Sequence, residues 1–351
     1  MKRSAWQHRL ILAAKITLAG ALLAWLASSD RLQLSRLGSV PLNGQLLTLF
    51  ALVAGSMITP AVRWWWLLRI QGLQEPLWKV VKLTWSGYLA ALVLPGAASG
   101  DLAKTYLILR QRDEGRARAF STILADRFLG LHSLFCLGAC SILWIAAEGE
   151  LSDVAFEAFV AATLIPLTAM SVSLAALLWC RTRTMLFRII PAAWREAWDE
   201  SFILYYTKLP QLFGCFGLSV CSSAMTVGSL AVAGSLLDEV VPLDAAFLAG
   251  PLIVVANCLP ITPGGIGLAE AVSSNVFGRL GSTCGAEMMV LTRICVAIVS
   301  IPGLLPFIAL RIPQKESKSE FSALPNAAGA AMSRSPLLTK GRLQTLSEKS
   351  E

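Results

Sequence analysis

Asp101, Lys104, Arg127, Glu270 and Arg293 are charged residues set within or beside long apolar stretches. A charge in hydrocarbon is costly unless it faces a partner or a polar cavity, so these residues are where chemistry is sought first. Asp101 follows Pro95-Gly96-Ala97-Ala98-Ser99-Gly100, and Glu270 follows Pro263-Gly264-Gly265-Ile266-Gly267-Leu268-Ala269. Proline and clustered glycines break a helix. A helix that restarts inside a membrane turns unbonded N–H groups and its positive dipole end toward the break. Such an end favours anions, phosphate included. Glycines let a ligand approach the backbone closely, and an arginine can grip a phosphate through two parallel hydrogen bonds. The residue types therefore suit binding of an anionic group. Gly96, Asp101, Lys104, Arg127, Gly264, Gly265, Glu270 and Arg293 are the candidate substrate-binding residues, with no catalytic group among them.

Plainer uses exist for several of them. Asp101 beside Ser99 and Gly100 suits a helix N-cap. Glu270, in a first helical turn, is stabilised by the dipole alone. Asp126-Arg127 suits an ion pair at the entrance to a span. Trp64, Trp65 and Trp66, between Arg63 and Arg69, read as an interfacial anchor. His132, Cys136 and Cys140 fall four residues apart, which leaves a soft-metal site and an ordinary apolar face both open. Free cysteine packs as a small hydrophobe, so no metal and no cofactor is expected.

The elements that must position these residues are membrane helices. The chain has 351 residues, 55% hydrophobic and 15% charged, against about 25% charged in soluble domains. Several apolar runs reach the roughly 20 residues that cross a bilayer core. The fold class expected is an all-α polytopic membrane protein. Six full spans are expected: 10–28, 42–62, 120–147, 159–180, 209–237 and 286–310. Two shorter broken segments, 83–109 and 245–280, read as re-entrant hairpins. Residues 1–312 form the membrane domain and 313–351 a flexible cytoplasmic tail.

The net charge of +8 does not imply nucleic acid. On this topology 24 of the 30 Lys and Arg fall on one side, together with both termini. That is the positive-inside pattern of a multi-pass protein in the cell (inner or plasma) membrane.

The two hairpins enter from opposite faces. Each has a Pro-Gly break, a glycine, a carboxylate early in the second half-helix, then an arginine in the following span. Asp101 lies 26 residues before Arg127, and Glu270 lies 23 before Arg293. That order of features is expected of an inverted repeat with a binding site near the midplane.

With these motifs placed, the chain resembles the transmembrane region of the lysylphosphatidylglycerol synthase family, the flippase-like membrane proteins. The matching pieces are Arg63 to Arg69, Leu94-Pro95-Gly96 with Gly100-Asp101, and Asp126-Arg127-Phe128-Leu129-Gly130. Leu259-Pro260-Ile261-Thr262-Pro263-Gly264-Gly265-Ile266-Gly267 with Glu270, and Arg293 with Pro302-Gly303, complete the set. The likeness spans about residues 10–311, and the Pro-Gly-Gly-Ile-Gly-x-x-Glu element is its most specific part. It implies a domain that moves a polar-headed lipid between leaflets. The expected partner is a membrane lipid with an anionic or polyprenyl-type headgroup, alongside envelope-biosynthesis proteins. The family's separate synthase domain is not expected within the last 40 or so residues, so neither is lipid aminoacylation. Lys104 stands where the family usually carries a basic residue, and lysine is a point charge that grips phosphate less firmly than arginine.

A lipid translocase, with no enzymatic step, is the leading reading. The alternatives are a secondary transporter of a small polar solute and a membrane-embedded lipid-modifying enzyme. The chain has no Walker-type phosphate loop. It has two histidines and no clustered carboxylates, which is thin material for acid–base catalysis.

Overall fold

The computed structural model describes residues 2–29, 31–93, 99–110, 115–148, 154–178, 192–259 and 261–304. Gly96, the first hairpin's break and the tail at 313–351 lie outside the described residues. Twelve α-helices occupy the rest: α1 (Lys2–Ser28), α2 (Leu34–Gly38), α3 (Gly44–Ile70), α4 (Leu77–Val93), α5 (Ser99–Arg110), α6 (Arg116–Glu148), α7 (Val154–Leu178), α8 (Ala192–Thr207), α9 (Leu209–Ser235), α10 (Leu243–Cys258), α11 (Leu268–Arg279) and α12 (Gly285–Ser300). Short 3-10 turns stand at Pro263–Gly265 and Ile301–Gly303. Every regular element among the described residues is helical, so the expected polytopic all-α class holds.

Among the described residues five helices are long and apolar enough to cross a membrane: Gly44–Ile70, Arg116–Glu148, Glu157–Ala175, Leu209–Ser235 and Gly285–Gly303. The sixth expected span falls in α1, whose apolar part among the described residues is the shorter Ile16–Ser28. The broken segments keep their distinct character. At 1.5 Å per residue, α4 and α10 reach roughly 24–26 Å and α5 and α11 roughly 18 Å, short of a hydrocarbon core of about 30 Å.

Several boundaries move, for physical reasons. The second span was expected to stop before Arg63, but α3 continues to Ile70. Asn43 caps its start by accepting from the Gln45 and Leu46 amides at 3.1 and 3.2 Å. Pro60 has no N–H to give the Ser56 carbonyl. The Ser222 hydroxyl of α9 bonds that carbonyl instead at 3.2 Å, which ties the two helices together. Span three begins at Arg116, so Asp126-Arg127 sits ten residues inside α6 rather than at its entrance.

The core is built on α3 against α9, flanked by α6, α10 and α12, with Leu49, Val53, Val227, Leu230, Leu248 and Met288 buried at its centre. The α4–α5 hairpin closes through glycine: a methyl on Gly100 would sit 2.5 Å from the Gly87 carbonyl oxygen. At the other hairpin, Gly267 has φ +83° and presses on α1, where a methyl would meet the Ala19 carbonyl oxygen at 2.9 Å.

Candidate functional site

The carboxylate and the arginine that recur in each half of the expected repeat are in contact, although the arginines were expected to face a ligand. Asp101 Oδ2 binds Arg127 Nε. Glu270 Oε1 lies 2.7 Å from Arg293 Nε. The two pairs are put to different uses.

Around the first pair the helices enclose a polar cavity of about 170 Å³. Its lining includes Arg63, Tyr88, Lys104, Asp126, Arg127, Ser222, Ser223 and Thr226, drawn from α3, α4, α5, α6 and α9, with Val254 and Cys258 from α10. Lys104 is buried with its Nζ 3.6 Å from Asp101 Oδ1 and 5.3 Å from the centre of the Trp64 ring. That cation–π contact uses a ring fixed by its own hydrogen bond, Trp64 Nε1 to Thr122 Oγ1 at 3.1 Å. Arg63 Nε donates to Asp126 Oδ1 at 2.7 Å and its Nη1 to Ser219 Oγ at 2.7 Å. Arg63, Lys104 and Arg127 oppose Asp101 and Asp126, three basic side chains against two carboxylates, a formal excess of one positive charge. The Arg127 side chain is 48% exposed, and its Nε is the atom that pairs with Asp101.

The second pair holds backbone. Arg293 Nη1 donates to the Gly264 carbonyl at 2.7 Å and Nη2 to Asn257 Oδ1 at 3.2 Å. Glu270, 1% exposed, accepts from the Gly267 N–H at 2.7 Å, the carboxylate half of a capping box on α11. Gly264, Gly265 and Gly267 have φ of +59°, +71° and +83°, backbone that only glycine adopts without strain. One arginine thus clamps α10, the Pro-Gly-Gly turn and α11 to α12. The half-helix end expected to be free for a ligand is already met by Glu270. Gly264, Gly265, Glu270 and Arg293 do not line the cavity; they reach it indirectly, through Asn257 beside Cys258. The two hairpins do touch: a methyl on Gly264 would lie 3.4 Å from the Ala91 carbonyl oxygen of α4.

Sequence reasoning missed Arg63, Trp64 and Tyr88. Arg63 and Trp64 looked interfacial, yet Trp64 is 1% exposed and packs in the interior. Only Trp65, stacked under Arg69 at 4.1 Å, has the expected arginine–tryptophan pairing, while Trp66 covers Gly214. The usable signal was the apolar Ala61-Val62 and Leu67-Leu68 on both sides, which lets the helix run through. His132 stacks on Phe128 at 5.6 Å, and among the described residues no three His, Cys, Asp or Glu side chains gather as metal ligands would.

No curated protein matches the chain significantly in sequence. The family described as lysylphosphatidylglycerol synthase TM region matches residues 11–303, which takes in both hairpins, the cavity and the Arg293 clamp. The helical bundle, the two paired carboxylates and that match agree with one another: the chain belongs to the lysylphosphatidylglycerol synthase transmembrane-region family, and is a multi-pass membrane protein of lipid-related function.

Proposed function

We propose that the protein is a lipid translocase that takes an anionic headgroup into the cavity at Arg63, Lys104 and Arg127 while the lipid tails stay in the bilayer. The observation that carries this is the convergence of three basic side chains, Arg63, Lys104 and Arg127, on one small cavity against two carboxylates, a formal excess of one positive charge. One net charge offsets one phosphodiester. At about 170 Å³ the cavity is smaller than the 300–1,000 Å³ typical of whole-ligand pockets, so it suits the charged end of a larger molecule.

Exposed apolar side chains support a lipid over a free solute. Leu102 adjoins Asp101, Leu124 lies one turn before Arg127 on the same face of α6, and Leu259 adjoins Cys258; all three are exposed. Leucines exposed in this way suit contact with lipid tails while the headgroup enters the cavity. In this reading both termini are cytoplasmic, the membrane is the cell membrane, and the protein works beside envelope-biosynthesis enzymes without catalysing a reaction itself.

The test is movement of fluorescent phosphatidylglycerol between leaflets of proteoliposomes. Wild type should move it, and a Lys104→Ala/Arg127→Ala double variant should not. Equal rates would sink the site. Uptake of soluble organophosphates without lipid movement would favour the solute-carrier reading instead.

A further inference from the structure

The polar cavity is one end of a longer seam. α6 and α10 run antiparallel: Arg127 shares the cavity with Cys258, Gly138 meets Pro251, and Ser141 Oγ donates to the Asp244 carbonyl at 2.6 Å. At the far end the same two helices bound an open groove of about 550 Å³, lined by Cys140, Trp144 and Glu148 from α6 and Asp244 and Phe247 from α10. From Arg127 to Trp144 is 17 residues of helix, roughly 26 Å, most of a bilayer core.

Between cavity and groove the seam is pinched. A methyl on Gly138 would sit 2.8 Å from Pro251 Cγ and 3.0 Å from Thr163 Cγ2 of α7. Two polar groups at the pinch lack their usual partners. Thr163 is fully buried, and its hydroxyl has no hydrogen-bond partner. The Phe247 carbonyl, 3.6 Å from the same methyl position, stands four residues before Pro251, which has no N–H to offer it. Unmet polar groups are expensive in hydrocarbon, and a polar molecule threading the pinch would satisfy both.

We propose that the α6–α10 seam is the path the headgroup follows between leaflets, with Gly138, Pro251 and Thr163 as its gate and the Trp144 groove as a second lipid station. This rests on the translocase reading above. The two stations differ in charge. The cavity attracts an anion, whereas the groove presents Glu148 and Asp244, so it lets go of one. Thr163 and the Phe247 carbonyl offer a phosphodiester headgroup with hydroxyls one donor and one acceptor in transit.

The experiment uses phosphatidylglycerol with a photoactivatable diazirine in its headgroup, cross-linked to the full chain in nanodiscs and mapped by mass spectrometry. Leaflet exchange is measured in proteoliposomes of the same lipid. Wild type is expected to give adducts both in residues 126–134 and in residues 140–148. Cys140→Trp, an outward-facing change that fills the groove, should remove the second set and keep the first. Thr163→Val, nearly isosteric, should slow exchange about tenfold, the effect of a lost hydrogen bond, with cavity adducts unchanged. Cavity adducts without groove adducts, or unaltered exchange in both variants, would overturn the seam and leave the translocase reading standing. Absence of cavity adducts would overturn the translocase reading and the seam with it.

Discussion

Arg63 and Asp126 form a buried ion pair between α3 and α6, Nε to Oδ1 2.7 Å, with side chains only 6% and 7% exposed. Neither charge has water to fall back on. The pair holds because Ser219 takes a second donor of Arg63, and because the polar cavity softens the surroundings. A buried pair is weak evidence of net stabilisation, but removing one partner leaves the other uncompensated. Asp126→Asn or Arg63→Ala should therefore cost about 3–5 kcal/mol each, and a joint Arg63→Met/Asp126→Leu change should recover much of it. Thermal unfolding in detergent checks this. Double-variant losses that simply add would show that the two side chains act independently.

Lys104 and Arg127 should separate binding from stability. Arg127 is half exposed, so Arg127→Ala should change melting little and weaken binding of phosphatidylglycerol about tenfold, roughly 1.4 kcal/mol. Arg127→Lys keeps the charge but loses the planar fork, so it should recover only part of the affinity. Titration of protein in neutral-lipid nanodiscs with fluorescent phosphatidylglycerol gives the answer, and raising salt should weaken wild type more than the variant.

Much of this was legible in the chain, and the reason is local. Asp101 with Arg127 and Glu270 with Arg293 each recur on a half-helix and the next helix at similar spacing, so the repeat was visible, but that the partners meet was not. The breaks were visible because proline and glycine act on the backbone where they stand. Contacts between distant elements were not legible. Arg63 meets Ser219 across 156 residues, and Gly138 meets Pro251 across 113; no periodicity encodes either. The tryptophan run misled because interfacial and buried tryptophans have the same composition, and only the partner helix tells them apart. Arg293 was expected to be a ligand group because its cost in lipid was plain, while the carbonyl it would clamp was not.

That clamp makes its own prediction. Arg293→Ala strands Glu270 in the interior and frees the Gly264 carbonyl, so the 263–267 turn should lose protection from hydrogen exchange and global stability should fall by about 3–5 kcal/mol. Arg293→Ala/Glu270→Gln should regain part of the stability but not the protection of the turn. If exchange at the turn is as slow in the variants as in wild type, the clamp does not hold it.

Two glycines, one in the turn before α11 and one within it, give a sharper contrast. Gly265 has φ +71°, and a methyl there would lie 2.6 Å from Asn257 Oδ1 and 2.7 Å from the Asn257 carbonyl oxygen. Gly265→Ala should destabilise by about 1–3 kcal/mol through strained backbone. Gly278 lies within α11 with nothing in reach of a methyl, so Gly278→Ala should stabilise by about 0.5–1 kcal/mol. Equal melting shifts for the two would show that backbone conformation at the turn is not what selects glycine.

Glu239, in the link between α9 and α10, should set the acid limit of stability. Burial works to raise its carboxyl, but hydrogen bonds from Ser282, Thr283 and Cys284 outweigh this and bring it from 4.5 down to about 2. Ser282 Oγ lies at 2.6 Å and the Thr283 and Cys284 amides at 2.9 and 3.3 Å; the Thr283 hydroxyl donates to the other carboxylate oxygen, and Arg36 Nη1 stands at 3.6 Å. A carboxyl depressed in the fold binds its proton more readily once the chain unfolds. Its contribution is therefore complete above about pH 4.5 and is lost as pH falls toward 2. Glu239→Gln removes the charge that the four donors favour, so it should lower the melting temperature at neutral pH and flatten the decline between about pH 4.5 and 2. Because the same carboxylate ties α2 through Arg36 to the α11–α12 link, Arg36→Ala should lower the wild-type melting temperature far less than Glu239→Gln does: a long, partly exposed partner at 3.6 Å contributes less than four direct hydrogen bonds. An acid limb equally steep in Glu239→Gln and wild type would assign acid unfolding to other carboxylates.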